Sequence, residues 1–343
     1  MSARIHLTGS ASYRLKAFSN LSSAIAEAGT RRIRKGPLLP GWNWFVEMAT
    51  GALRKQLITA FEMGSIPEAR RFLNSIEIKL PICADISRSH VALDTFSGDW
   101  FEVQHPVATV LYFHGGGYTF YPRSYSYLLE LITQATKSRL FALDYRLAPE
   151  HKFPAQLEDA VAAYAWLVEQ GVSPETLVLA GDSAGAHLAL GCLLRLRDLK
   201  MPIPRLAVAL SPPTDFETDW PSITRNAKTD WIQKFMLERW AAHFCSPGDW
   251  ANPLVWLARA DLTKLCPIYI QCGSAEILHD SIQAFGQSAR TQGVTVAIES
   301  WPDMNHVFQL FGSFSPQSTQ ALSQIGKAIT ETVRSKQLSL AVR

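Results

Sequence analysis

Residues 177–189 read LVLAGDSAGAHLA. An apolar run of strand character enters Gly181-Asp182-Ser183-Ala184-Gly185, and a helical run leaves it with nothing in between. A chain turns from strand to helix that abruptly only through a tight, strained corner. The G-x-S-x-G pattern puts small residues on both sides of the serine, so strand and helix can close up around it. The corner pushes the Ser183 hydroxyl outward, and the first amides of the following helix point at the same spot. A plain serine N-cap is the alternative. The strand–turn–helix context favours a nucleophile.

That unit sits in a longer rhythm. ATVLYF, RLFALD, LAVAL and PIYIQC are short runs apolar throughout, separated by helical stretches such as LEDAVAAYAWLVEQ and SIQAFGQSARTQ. Alternation of this kind predicts a mostly parallel central sheet with helices on both faces. EIKLPICADI and HVALDTFSG read as two further strands, and the first seventy-odd residues as helix. A long helix is expected near 316–336. Between Pro212 and Asp261 no strand is evident. DWIQKFMLERWAAHFC is helical and aromatic, an insertion expected over the C-terminal edge of the sheet, where ligand sites of such sheets lie.

With 47% hydrophobic residues and 18% charged among 343, a large core is available. The net charge of +3 is mild and its residues are scattered. RRIRKG at 31–36 is the one dense basic cluster and reads as a solvated helix end, so no nucleic-acid or membrane patch is expected. Five cysteines without a C-x-x-C spacing argue against a disulfide framework and for a reducing, cytoplasmic setting. The N-terminal residues lack the continuous apolar stretch of a secretory signal, and no run reaches membrane-spanning length.

A nucleophilic serine needs a base, and the base needs an orienting acid, in the chain order serine, acid, histidine. Downstream of Ser183 stand His243, His279 and His306. His243 lies in the aromatic insertion and reads as packing, and His279 reads as a surface residue. His306 follows the last strand on a short loop, which is the expected place for the base. For the acid, Glu276 follows the strand ending at Gly273. Asp280 lies one helical turn further on and is the alternative. Asp303 is close to His306 in sequence and too local to reach the outer imidazole nitrogen. No His/Cys/carboxylate cluster has metal-ligand spacing, so no metal or cofactor is expected.

HGGG at 114–117 closes another apolar strand. Consecutive glycines are costly to order, and bare amides facing a tetrahedral oxyanion would repay that cost. The expected donors are Gly115, Gly116 and Ala184. His114 is expected to fix the loop rather than act as a base.

HGGGY, DYRLAPEHKFPAQLEDAVAAYAWL and GDSAGAHLAL, followed by GSAEILHD and NHVFQ, resemble the hormone-sensitive-lipase-like carboxylesterases of the α/β-hydrolase superfamily over roughly residues 80–335. The resemblance implies an α/β-hydrolase core of residues 61–212 and 259–343. It also implies a helical cap made of residues 1–60 and 213–258. Asp144, Arg146, Pro149 and Glu150 would brace the loop beneath the site. The implied activity is cofactor-free hydrolysis of a small or medium-sized ester, bulky if the tryptophans of the cap segments face the cleft, as in secondary metabolism. Glu276 stands where most relatives carry Asp, and Ala186 where many carry a second glycine. A lyase or acyltransferase, or a non-catalytic receptor for small molecules, could share this fold. The complete set of serine, acid and histidine argues against the receptor. The partner expected is a small-molecule ester, and the assembly a monomer or homodimer.

Overall fold

The computed structural model describes residues 4–79 and 85–341. The central sheet comes from the apolar runs. It contains β3 (Ser87–Ala92), β4 (Ser97–Glu102), β5 (Thr109–Phe113), β6 (Arg139–Asp144), β7 (Leu177–Asp182), β8 (Leu206–Leu210), β9 (Ile268–Gly273) and β10 (Val296–Trp301). Its order is β10-β9-β8-β7-β5-β6-β4-β3. The pairs from β6 to β10 are parallel, while β4 runs antiparallel to β6 and to β3.

The unbroken apolar character of the inner strands follows from burial on both faces. In β5, Leu111 and Phe113 join one core with Ala160 and Leu188, while Val110 and Tyr112 join the opposite core with Leu128 and Ile325. The first core is covered by α5 (Ala155–Glu169), α6 (Ala184–Asp198) and α9 (His279–Thr291). The second is covered by α4 (Ser126–Thr136) and α10 (Pro316–Ala341).

Some expectations change in detail. HVALDTFSG is not one strand: β3 and β4 form a hairpin in which Val91 pairs with Gly98. EIKLPICADI yields only β2 (Ile76–Lys79), and residues 80–84, with Cys83, lie outside the described residues. Nor is the N-terminal region all helix. Before α1 (Ala11–Lys35), α2 (Trp44–Phe61) and α3 (Ile66–Leu73) comes β1 (Arg4–Leu7), which pairs antiparallel with β2 in a separate small sheet. Four residues carry too little periodicity to announce that strand.

The insertion carries α7 (Pro221–Arg225) and α8 (Lys234–Phe244). Its helical pattern was expected to start at Asp230. It starts at Lys234, because Asp230 and Trp231 are spent on contacts to the loop of His306. The C-terminal end of α2 meets this insertion. Phe61 packs edge-on to Trp240 and Phe235, and Arg239 donates to the Phe61 carbonyl. Among the described residues no helix is long and apolar enough to cross a membrane. Cys192, Cys245, Cys266 and Cys272 are buried and unpaired.

α10 lies against α4 so closely that a Cβ on Gly326 would come within 2.2 Å of the Ala135 carbonyl oxygen. Replacing a helical glycine by alanine gains about 1 kcal/mol of intrinsic propensity. Overpacking against a backbone typically costs about 1–3 kcal/mol. Gly326→Ala should therefore lower stability in urea unfolding, with turnover per folded molecule unchanged. A variant as stable as the parent would show that the helices can part freely.

Candidate active site

Ser183 occupies the corner between β7 and α6 with φ 50° and ψ −124°. A non-glycine residue stores strain in that region. The corner closes because a Cβ on Gly185 would sit 1.9 Å from the Phe113 carbonyl oxygen, so only glycine lets α6 approach β5. The Ser183 amide donates to the Leu210 carbonyl, and its carbonyl accepts from His187.

His306 Nε2 lies 2.8 Å from Ser183 Oγ. Its Nδ1 faces Glu276 Oε2 at 3.6 Å, outside hydrogen-bond range, and both residues are fully buried. Glu276 Oε2 instead accepts the Ser211 hydroxyl at 2.6 Å, and Ser211 Oγ accepts the Val307 amide. Glu276 Oε1 and His306 Nδ1 have no partner among the described residues. A small turn of the carboxylate would pair them, and such bonds are often long without a ligand. Burial lowers the imidazole below its ordinary value of 6.5, against the opposing charges of Asp230 and Asp182. Burial raises the Glu276 carboxyl, against the Ser211 hydroxyl. Each ionised form needs the other.

The other candidates lie elsewhere. Asp280 accepts the Ser222 amide and pairs with Arg225, so it holds α7 to α9 and does not face His306. Asp303 accepts the Gly41 amide and, through its carbonyl, the Trp42 indole N–H, anchoring the chain ahead of α2. His279 lies between Asp280 and Ser300. His243 is 3.5 Å from the Thr119 hydroxyl, beside the glycine loop.

The glycine loop corrects one expectation. The Gly115 amide points into the protein, donating to Tyr125 Oη at 2.9 Å and to Asp182 Oδ1 at 3.1 Å. It has no capacity left for an oxyanion. Gly116 and Gly117 have φ of 107° and 59°, backbone that glycine adopts without strain. Neither donates to a protein acceptor among the described residues. Side chains are barred there: a Cβ would meet the Phe120 carbonyl oxygen at 2.0 Å from Gly116 and the Trp240 indole at 2.3 Å from Gly117. The Ala184 amide, first in α6, has no acceptor within its helix.

A buried network holds this loop. Asp182 accepts Tyr112 Oη at 2.8 Å and also bonds Tyr125 Oη. Burial pushes the Asp182 carboxyl up to about 6, the tyrosine hydroxyls opposing it. His114 is stacked between Tyr121 and Tyr145 with centroids 3.6 and 4.1 Å away, and its Nδ1–H donates to the Gly115 carbonyl. Below, Arg70 of α3 donates to the carbonyls of Thr119 and Ala148 and pairs with Glu150. Arg146 pairs with Asp159 and Glu158 on α5.

Sequence reasoning missed Ser211 and Asp230. Ser211 had one available signal, its position at the C-terminal end of an apolar strand. Asp230 sits inside the aromatic insertion and had none. Among the described residues no group of three or more His, Cys, Asp or Glu side chains could hold a metal ion. The arrangement offers a hydroxyl beside an imidazole, a carboxylate behind it and free amides in front, which suits acyl transfer through a serine.

Comparison with known proteins agrees. A family described by the alpha/beta hydrolase fold matches residues 110–310, and the chain belongs to it. An acetyl-hydrolase of Streptomyces hygroscopicus is 41% identical over 220 residues, 64% of this chain and 74% of that protein. An esterase of Acinetobacter venetianus is 29% identical over 299 residues, 84% and 97% of the two chains. The crystal structure of an esterase from the bacterial hormone-sensitive lipase family superposes with a TM-score of 0.79 at 33% identity, covering 85% of this chain and 99% of that one. Within the fold family, this protein is a carboxylic ester hydrolase of the hormone-sensitive-lipase-like group.

Burial pulls His114 down to about 3 and His187 down to about 4. His187 is held neutral between the Tyr118 hydroxyl and the Val255 carbonyl. Their ring signals should stay fixed in NMR spectra between pH 5.5 and 8. Below the unfolded value of about 6.5 the unfolded chain binds protons that these rings refuse. Stability should therefore fall as pH drops through 6 toward 4. Rings that titrate near 6.5 in the folded protein would contradict the burial argument.

Proposed function

We propose that Ser183 is the nucleophile, His306 the general base and Glu276 the orienting acid, with the amides of Gly116, Gly117 and Ala184 as oxyanion donors. The observation that carries this reading is the 2.8 Å contact between His306 Nε2 and the hydroxyl at the strained corner. His306 takes the hydroxyl proton as Ser183 Oγ attacks the ester carbonyl carbon. The carbonyl oxygen becomes an oxyanion facing the three amides. Collapse expels the alcohol, which takes the proton from His306 and leaves an acyl-serine. Water, deprotonated by His306, repeats the sequence and releases the acid. Each oxyanion donor is worth ~3–4 kcal/mol in the transition state.

The substrate proposed is an ester with a small acyl group. Trp240 covers Gly117, and the Trp231 ring lies 5.2 Å from the imidazole, so both narrow the space at the reacting carbon. Trp42, Trp240 and Trp256 are buried in packing, which lends no support to an aromatic pocket for a bulky natural-product ester. A cytoplasmic location is part of the proposal, supported by four buried cysteines without a bridge. So is a cap made jointly by residues 1–60 and 213–258, supported by the hydrogen bonds of Arg54 to the Asp230 and Lys228 carbonyls of the insertion.

A fluorophosphonate should label the protein once, and Ser183→Ala should abolish labelling; label on another serine would overturn the assignment. Glu276→Gln should lower kcat by about 100-fold or more, and Asp280→Asn should leave it within about threefold, since a half-exposed ion pair contributes little. The reverse ranking moves the acid to Asp280. Activity should rise with pH as His306 loses its proton, with the limb below 6.5 because burial lowers that pKa. If the N-terminal segment is cap, deleting residues 1–40 should raise KM or shift the preference among p-nitrophenyl esters in a protein that still folds. Unchanged selectivity would remove that segment from the cap.

A further inference from the structure

We propose that Asp230, contributed by the insertion, is a positioning residue that fixes the loop of His306 against the loop of Glu276. This rests on the roles just given to Ser183, Glu276 and His306.

Asp230 is completely buried. Its two carboxylate oxygens divide their work. Oδ2 accepts the Ile277 amide at 2.7 Å, one residue past Glu276, and Oδ1 accepts the His306 amide at 3.3 Å. One rigid group thus bridges the two loops on which the geometry of the acid–base pair depends. The next residue completes the hold: Trp231 Nε1 donates to the His306 carbonyl at 2.6 Å. Both backbone polar groups of His306 are therefore engaged by consecutive residues of the insertion. The acid loop is gripped along its length as well, since Asn226 Nδ2 donates to the carbonyls of Ser274 and Glu276 and Thr229 Oγ1 to that of Ala275.

Two amides converging on one side chain call for two acceptor oxygens. Asparagine would turn an NH2 toward one amide and leave that amide buried without an acceptor. The turn carrying Asp230 is itself tied to the N-terminal segment. Arg54 of α2 donates through Nε to the Asp230 carbonyl at 3.0 Å and through Nη2 to the Lys228 carbonyl at 2.7 Å. A movement of α2 would thus reach His306 through two hydrogen-bonded steps.

The charge of Asp230 adds a second signature. The ionisable groups that bear on the imidazole are Glu276 at 3.6 Å, Asp182 and Asp230, and the cation near Asp230 is Arg54. Burial pushes the Asp230 carboxyl up to about 6, and a protonated His306 draws it back. An ionised Asp230 therefore favours the imidazolium that forms when Ser183 gives up its proton. Removing that charge should lower the pKa of His306 and move the rising limb of the pH profile to more acidic pH.

The test measures kcat, KM and the pH profile for p-nitrophenyl acetate hydrolysis by the full chain in a pH-stat, with thermal melts of each variant. Asp230→Asn should reduce kcat by about 10- to 100-fold, the effect of a displaced catalytic group. KM should stay within about twofold of the parent, and the limb should shift to lower pH. Trp231→Phe keeps the ring and loses one hydrogen bond. It should reduce kcat by about two- to tenfold with the limb unmoved. Parental kcat and limb in a folded Asp230→Asn variant would overturn the proposal, as would a loss confined to KM. If Asp230→Asn shows no cooperative melt, Trp231→Phe decides: parental kcat overturns the proposal and a selective loss of kcat upholds it. His306→Ala separates the two levels. If that variant keeps its activity, the underlying roles fail. If it is inactive while Asp230→Asn and Trp231→Phe behave as the parent, only the positioning role fails.

Discussion

The site depends on one backbone conformation, the positive φ of Ser183. β7 must end and α6 must begin within a single residue, and only the left-handed region turns the chain that sharply. The strain is tolerable because both flanking elements are locked. β7 is buried on both faces, and α6 lies flush against β5 through Gly185. With the corner fixed, the Ser183 hydroxyl has one place to be, and the His306 imidazole can be brought to it.

The remaining problem is electrostatic. Four ionisable side chains, Asp182, Asp230, Glu276 and His306, lie fully buried around one hydroxyl. A lone buried charge costs far more than a folded protein can spare. Each carboxylate is therefore given hydrogen-bond donors: tyrosine hydroxyls and the Gly115 amide for Asp182, two loop amides for Asp230, and the Ser211 hydroxyl for Glu276. His306 Nδ1 and Glu276 Oε1 are left without a hydrogen-bond partner among the described residues. That leaves the pair room to close into a hydrogen bond by a small turn of the carboxylate.

The glycine loop follows the same economy. Asp182 precedes the serine in sequence and draws the Gly115 amide inward. One glycine of the three thus anchors the loop, and the amides of the next two have no protein acceptor among the described residues. The same carboxylate connects the corner of Ser183 to the glycine loop. The N-terminal helices extend this frame, through Arg70 beneath the loop and Arg54 behind the insertion.

Much of this was legible in the chain itself. Continuous apolar runs demanded a sheet buried on both faces, and the alternation with helices demanded parallel pairing. G-x-S-x-G between strand and helix marked Ser183, and the order of polar loops after the later strands marked Glu276 and His306. All of these are local signals, carried by residues close together in sequence. What only the tertiary structure decided is set by contacts across long separations. The direction of the Gly115 amide depends on an aspartate 67 residues away. The hold on His306 comes from an aspartate 76 residues before it, in a segment whose periodicity read as plain helix. A backbone amide has no identity in a sequence, and neither does the carboxylate that will meet it. Which of them pair is settled only when the loops close over one another and every buried donor must find an acceptor.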